Sequence, residues 1–202
     1  MAIALDINFL SKELIDIEII ENLLKQYSVK IVSINSIDNW MWDNEKEIAS
    51  LMQIGKVLNN CQIAIIKLRQ PLMKDLGIFI EKVENFYLYT VWMNTEGYPM
   101  LDCDAITLEN CKYFENIFAA LLKMKENNTN IFEVAAIGLE TDIHYSKDIL
   151  DMIQKSKNVL VWIFNQDVEL NQKMDGYEIK RINGIKILEK IKHEKTFQGM
   201  ER

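Results

Sequence analysis

The chain has 202 residues, with 23 Lys+Arg against 30 Asp+Glu, a formal net charge of -7, and arginine only at Arg69, Arg181 and Arg202. Recognition of phosphates and bases leans on a basic face and on bidentate arginine, so this balance argues against direct nucleic-acid binding and favours a basic protein partner. The longest run without a charged side chain, residues 85–95, is about half of the roughly 20 residues a helical membrane span needs, which argues against a membrane partner.

In chain order, residues 3–9 read as a strand and 12–26 as a helix. Ser11 is placed as its N-cap, and Leu14, Ile15, Ile19, Leu23 and Leu24 recur at the helical period. A strand over 29–34 completes a β-α-β unit. A second helix is predicted over 45–58, introduced by Asp43 or Asn44 with Glu47 in a capping-box position, and leads to a strand over 63–68. Three closely spaced runs follow, 77–83, 86–93 and 99–102. They leave no length for crossover helices and so predict an antiparallel meander, whose middle run is apolar on both faces and therefore central. A helix over 108–126 is capped by Thr107 and stopped by Asn127 and Asn128.

The last third repeats the opening scheme with a strand over 131–139, a helix over 146–155 and a strand over 159–164. Residues 177–182, Asn183-Gly184 and 185–191 have the pattern of a hairpin. That pairing sets Arg181 opposite Lys186 and Glu178 opposite Glu189, two like-charge pairs that cost stability, so a terminal helix over 185–191 is expected instead. The fold class expected is α/β or α+β. It is one globular domain over residues 1–192 with a frayed tail over 193–202, in which a mixed sheet carries β-α-β units at both ends, a central antiparallel meander and helices packed on the sheet.

The amino terminus meets Asp6 before any apolar run of useful length and has no basic leader, which predicts a cytoplasmic location. The odd number of cysteines, Cys61, Cys103 and Cys111, suits reduced thiols; Cys61 and Cys111 fall on apolar stretches and are expected in the core. Asp102-Cys103-Asp104 has the spacing of a D-x-D diphosphate signature. However, no phosphate-cradling glycine loop accompanies it, and flanking acids disfavour a thiolate. With His144 and His193 the only histidines, nucleophilic triads have little to draw on.

Two candidate sites follow. Trp40-Met41-Trp42 sits between acids, and an aromatic loop with Asp38, Asp43 and Glu45 around it suits docking onto a basic protein. This is the leading expectation: a non-catalytic intracellular inhibitor of a basic partner, immunity- or antitoxin-like, without a cofactor. The alternative is an enzyme or small-molecule sensor. If the sheet is largely parallel, its carboxyl edge gathers Arg69 and Asp167 as ligand-binding groups and Glu140, Asp142 and His144 as divalent-metal ligands or an acid/base pair. The metal reading rests on residues two apart in extended chain facing the same side.

Overall fold

The structure, a computed structural model, describes residues 4–26, 29–70, 73–94, 132–165, 167–170, 176–182 and 185–190. The predicted strand over 99–102, the helix over 108–126, Asn183-Gly184, the tail, Cys103, Cys111 and His193 lie outside them.

The strands are β1 (Ala4–Ser11), β2 (Lys30–Ile37), β3 (Lys46–Glu47), β4 (Ile63–Gln70), β5 (Met73–Val83), β6 (Phe86–Asn94), β7 (Val134–Asp142), β8 (Lys157–Asn165), β9 (Tyr177–Ile182) and β10 (Ile185–Lys190). They form one ten-stranded sheet in the order β3-β2-β4-β5-β6-β1-β7-β8-β10-β9, and every pairing between described strands is antiparallel. The helices are α1 (Ile17–Gln26), α2 (Ile54–Asn59) and α3 (Ile149–Lys155). Among the described residues, no helix is long and apolar enough to cross a membrane.

The expected mixed α/β arrangement is therefore corrected to an antiparallel sheet with few helices among the described residues. Apolar runs buried on both faces do not distinguish parallel from antiparallel strands; the order of pairing does. β1 and β2 do run in the same direction across α1, but β4, β5 and β6 lie between them. β7 and β8 flank α3 yet pair directly and antiparallel. Both faces of the sheet are covered, which is why its strands read like those of a parallel one. Ile15, Ile20, Ile54, Val57 and Leu58 pack on Leu5, Ile7, Phe9, Ile66, Ile78 and Ile80, while Met152 and Ile153 pack on the other face with Leu10, Leu88, Trp162 and Phe164. The central place of β6 holds, since Tyr89 and Met93 are buried on one face and Leu88 on the other.

Three further expectations change locally. Helix α1 starts at Ile17 rather than at residue 12, because β1 continues to Ser11 opposite Tyr87. The Asp16 carboxylate then accepts the Glu18 N–H at 3.0 Å, taking up one of the donors a first helical turn leaves free. The helix over 45–58 is reduced to α2, because Trp42 and Asn44 adopt left-handed backbone (φ 63° and 54°) and turn the chain back onto β2. There β3 pairs with Asn35 and Ser36, and the Ile48 N–H donates to the Ile34 carbonyl at 2.8 Å. Cys61, expected in the core, is exposed in the turn after α2 with φ 58°.

The terminal helix is likewise replaced by strand β10, in the register that opposes Arg181 to Lys186 and Glu178 to Glu189. The repulsion is relieved on each face. Lys180 bridges Glu189 and lies 3.8 Å from Glu178, while Lys186 is buried and donates to the Val168 carbonyl.

Tyr89 ties the two sides of this core together. Its ring stacks on Phe9 at 4.7 Å, and its hydroxyl accepts the buried Ile15 N–H at 2.7 Å; burial pushes the phenol well above its usual range. Tyr89→Phe strands that N–H without an acceptor and should cost about 2 kcal/mol in urea denaturation, whereas an unchanged midpoint would mean that Ile15 is satisfied elsewhere.

Candidate functional site

The loop that joins β2 to β3 holds Trp40, Met41 and Trp42 at 49%, 82% and 45% exposure. Its backbone is closed on itself, with the Asp38 N–H donating to the Asp43 carbonyl and the Trp42 N–H to the Asn39 carbonyl, each at 3.0 Å. Side chains close it further. The Asn39 amide oxygen accepts the Met41 N–H at 2.8 Å, an Asx turn, and its Nδ2 donates to Asp43 at 2.9 Å. Asn44 and Gln62 both donate to Asp38, at 2.7 and 2.6 Å, and hold its carboxyl below the usual range, Gln62 contributing most. Glu45 accepts from Asn35 at 2.6 Å and pairs with Lys67 at 3.0 Å, which lowers its pKa.

The indoles are anchored from below. Gly77 on β5 faces Trp92 on β6, and the Trp92 ring lies so close that a Cβ on Gly77 would fall 2.7 Å from it. Phe79 stacks on Trp92 at 5.6 Å. Trp40 and Trp42 then meet the Phe79 ring nearly edge-on at 5.1 and 6.3 Å. Trp40 Nε1 donates to Glu81 at 3.3 Å, and the half-buried Glu81 carboxyl is raised by burial against that bond. One portion of each ring packs on Phe79 and the rest faces solvent, with Met41 exposed between them.

The residues of the alternative site are not brought together. An antiparallel sheet has no carboxyl edge, because strand ends alternate. Five antiparallel pairings separate β4 from β8, so Arg69 near the end of β4 and Asp167 beyond the end of β8 lie at opposite edges. The strand spacing alone puts them about 24 Å apart. The same-side argument for Glu140, Asp142 and His144 fails for a local reason. Glu140 has φ 47°, and the β7/β8 register shifts between Gly138 and Asp142, which breaks the alternation. Asp142 is instead 3.7 Å from Lys157, and His144 Nε2 is 3.2 Å from Asp151, itself paired with Lys155 at 2.6 Å. Among the described residues, no group of three or more His, Cys, Asp or Glu could hold a metal ion.

The sequence reading missed a polar ladder across β6, β1 and β7. Thr90 Oγ1 donates to Asn8 Oδ1 at 2.8 Å, Asn8 Nδ2 to Thr141 Oγ1 at 2.6 Å, and the Thr141 N–H to Asp6 Oδ2 at 3.0 Å. Burial raises the Asp6 carboxyl to about 6, the Thr141 bonds oppose it, and the charge of Glu140 adds to it. The β1/β6 register sets Asn8 opposite Thr90, and the left-handed Glu140, where the β7/β8 register shifts, turns Thr141 back over Gly138 to meet Asn8 and Asp6. Compared with protein-family models, curated proteins and solved structures, the chain matches none.

Proposed function

We propose that this chain is a non-catalytic binding protein that blocks a basic protein partner, as an immunity- or antitoxin-like inhibitor does, and that it works in the cytoplasm. The observation that supports this most is the aromatic loop: two tryptophans just under half exposed and a methionine largely exposed, on a backbone closed by its own hydrogen bonds. Large apolar side chains fixed in advance lose little conformational freedom on docking, and tryptophan is enriched among residues that dominate binding energy. Residues 38–47 hold four acids, Asp38, Asp43, Glu45 and Glu47, against Lys46 alone, which suits a cationic counterpart. The neutral donors on Asp38 keep it ionised without cancelling its charge, so it attracts basic groups from a distance, while Glu45 is balanced by Lys67. The exposed thiol of Cys61 suits a reducing compartment.

The test is capture from native lysate at low and high salt by the parent chain and by the Trp40→Ala/Trp42→Ala variant. One basic protein should be retained by the parent in stoichiometric amount, be released at high salt, and bind the variant at least about tenfold more weakly. Absence of a retained basic protein at low salt, or retention indifferent to the two indoles, would overturn the reading.

A further inference from the structure

At the other end of the strand order from the aromatic loop, β9 is the outermost strand among the described residues. Four of its side chains are open to solvent: Glu178, Lys180 and Arg181 are exposed, and Ile179 is an exposed large apolar residue at 39%, while Tyr177 is half-buried with its hydroxyl donating to the Val159 carbonyl at 3.3 Å. Which of its backbone groups β10 leaves unpaired follows from the hairpin. Only two residues lie between the paired Ile182 and Ile185, so that pair closes the hairpin and is hydrogen-bonded. Hydrogen-bonded and non-bonded pairs alternate along an antiparallel ladder. Lys180 and Glu178 therefore bond to β10, while the N–H and C=O groups of Tyr177, Ile179 and Arg181 point away from it, into the space beyond the sheet.

We propose that β9 is the edge at which two copies of this chain pair, antiparallel, about a two-fold axis at Ile179. A self-pairing strand must set outward-pointing residues opposite one another, which allows the axis to pass through Tyr177, Glu178, Ile179, Lys180 or Arg181 but never between residues. An axis at Glu178 or Lys180 places that residue opposite its own copy, a like-charge pair at the centre. An axis at Tyr177 or Arg181 uses only one end of the strand. An axis at Ile179 pairs Ile179 with itself and Tyr177 with Arg181 of the second copy. Each is a pair that exchanges both backbone hydrogen bonds, and Glu178 falls directly opposite Lys180 of the second copy on both sides of the axis. Axes at Ile179 and at Lys180 overlap the same five residues' length of β9, and only the one at Ile179 makes the sequence Tyr-Glu-Ile-Lys-Arg complementary to its own reverse. The exposed Ile179 is covered at the axis, where an edge strand that only guards against association would carry a charge or proline. The guanidinium of Arg181 meets the Tyr177 ring of the other copy, a favourable cation–aromatic pair.

Sedimentation over a range of concentrations tests this on the full chain. The parent should be in monomer–dimer equilibrium. Lys180→Glu sets Glu opposite Glu twice and should raise the dimer dissociation constant at least about tenfold. Ile179→Pro removes a free donor at the axis, a substitution an edge strand can tolerate, and should abolish the dimer. The charge-swapped Glu178→Lys/Lys180→Glu variant restores opposite charges across the axis, puts Lys opposite Glu189 within the hairpin, and should recover the dimer. That recovery separates pairing from misfolding. A parent that sediments as a monomer throughout, leaving the edge to some other strand, would overturn the proposal, as would a dimer that Ile179→Pro and Lys180→Glu leave intact. Because β9 and the aromatic loop lie at opposite ends of the sheet, either result leaves the inhibitor reading untouched.

Discussion

Replacing Gly138 by alanine is expected to destabilise the protein by about 3 kcal/mol or more, the largest effect expected at any glycine among the described residues. A Cβ there would lie 1.9 Å from the Asn158 carbonyl oxygen, 2.7 Å from Thr141 Cγ2 and 3.0 Å from the Asn158 carbonyl carbon. The two closest neighbours cannot both yield cheaply. Asn158 is backbone of the paired strand β8, already in the left-handed region at φ 59°, and Thr141 carries the bonds to Asn8 and Asp6. Relief requires β7 and β8 to part where their register shifts, at the expense of the ladder between them. Gly176 supplies the contrast: its φ is 83° but nothing lies within 4 Å of its would-be Cβ, so alanine there costs only the conformational strain of about 1 kcal/mol. Urea denaturation of both variants checks the pair, and a Gly138→Ala midpoint as close to the parent as that of Gly176→Ala would refute the account.

The same stretch shows where sequence reasoning stops. The longer strands apart from β10 are legible, since Ile63–Gln70 and Lys157–Asn165 are β-branched or aromatic runs that fit little else. Their direction and order are not, because burial on both faces produces the same composition in parallel and antiparallel sheets. The like charges opposed in β10 count against a strand only as isolated cross-strand pairs; Lys180, diagonal to Glu189 with an offset of two residues, and the buried contact of Lys186 are visible only once the strands are paired. The aromatic loop could be found by inspection, as Trp-Met-Trp among acids. Its support could not, since Phe79 and Trp92 reach it only through the β5/β6 register. The converse error was to treat Glu140, Asp142 and His144 as one row, when a left-handed Glu140 and a bulge separate them.

Asp6→Asn should stabilise the protein at neutral pH, and the gain should vanish in acid. Asp6 titrates at 3.8 in an unconstrained chain and at about 6 in the fold, because burial penalises its carboxylate more than Thr141 supports it. Between those two values the folded state holds the proton that the unfolded state has released. Stability therefore falls as pH rises through that window, and the loss is complete above the folded value. The separation corresponds to on the order of 3 kcal/mol of penalty at pH 7. Asparagine keeps an oxygen to accept the Thr141 N–H and cannot ionise, so it escapes the penalty while leaving the ladder to Asn8 in place. The variant should exceed the parent by about 2 kcal/mol at pH 7 and match it near pH 4, the remainder being lost with the second carboxylate lone pairs that Thr141 Oγ1 also approaches. Denaturation of both proteins across that range measures the difference directly. A difference that stays constant with pH would show that Asp6 is solvated in the fold. A difference of the opposite slope would show that its carboxylate is held by a cation.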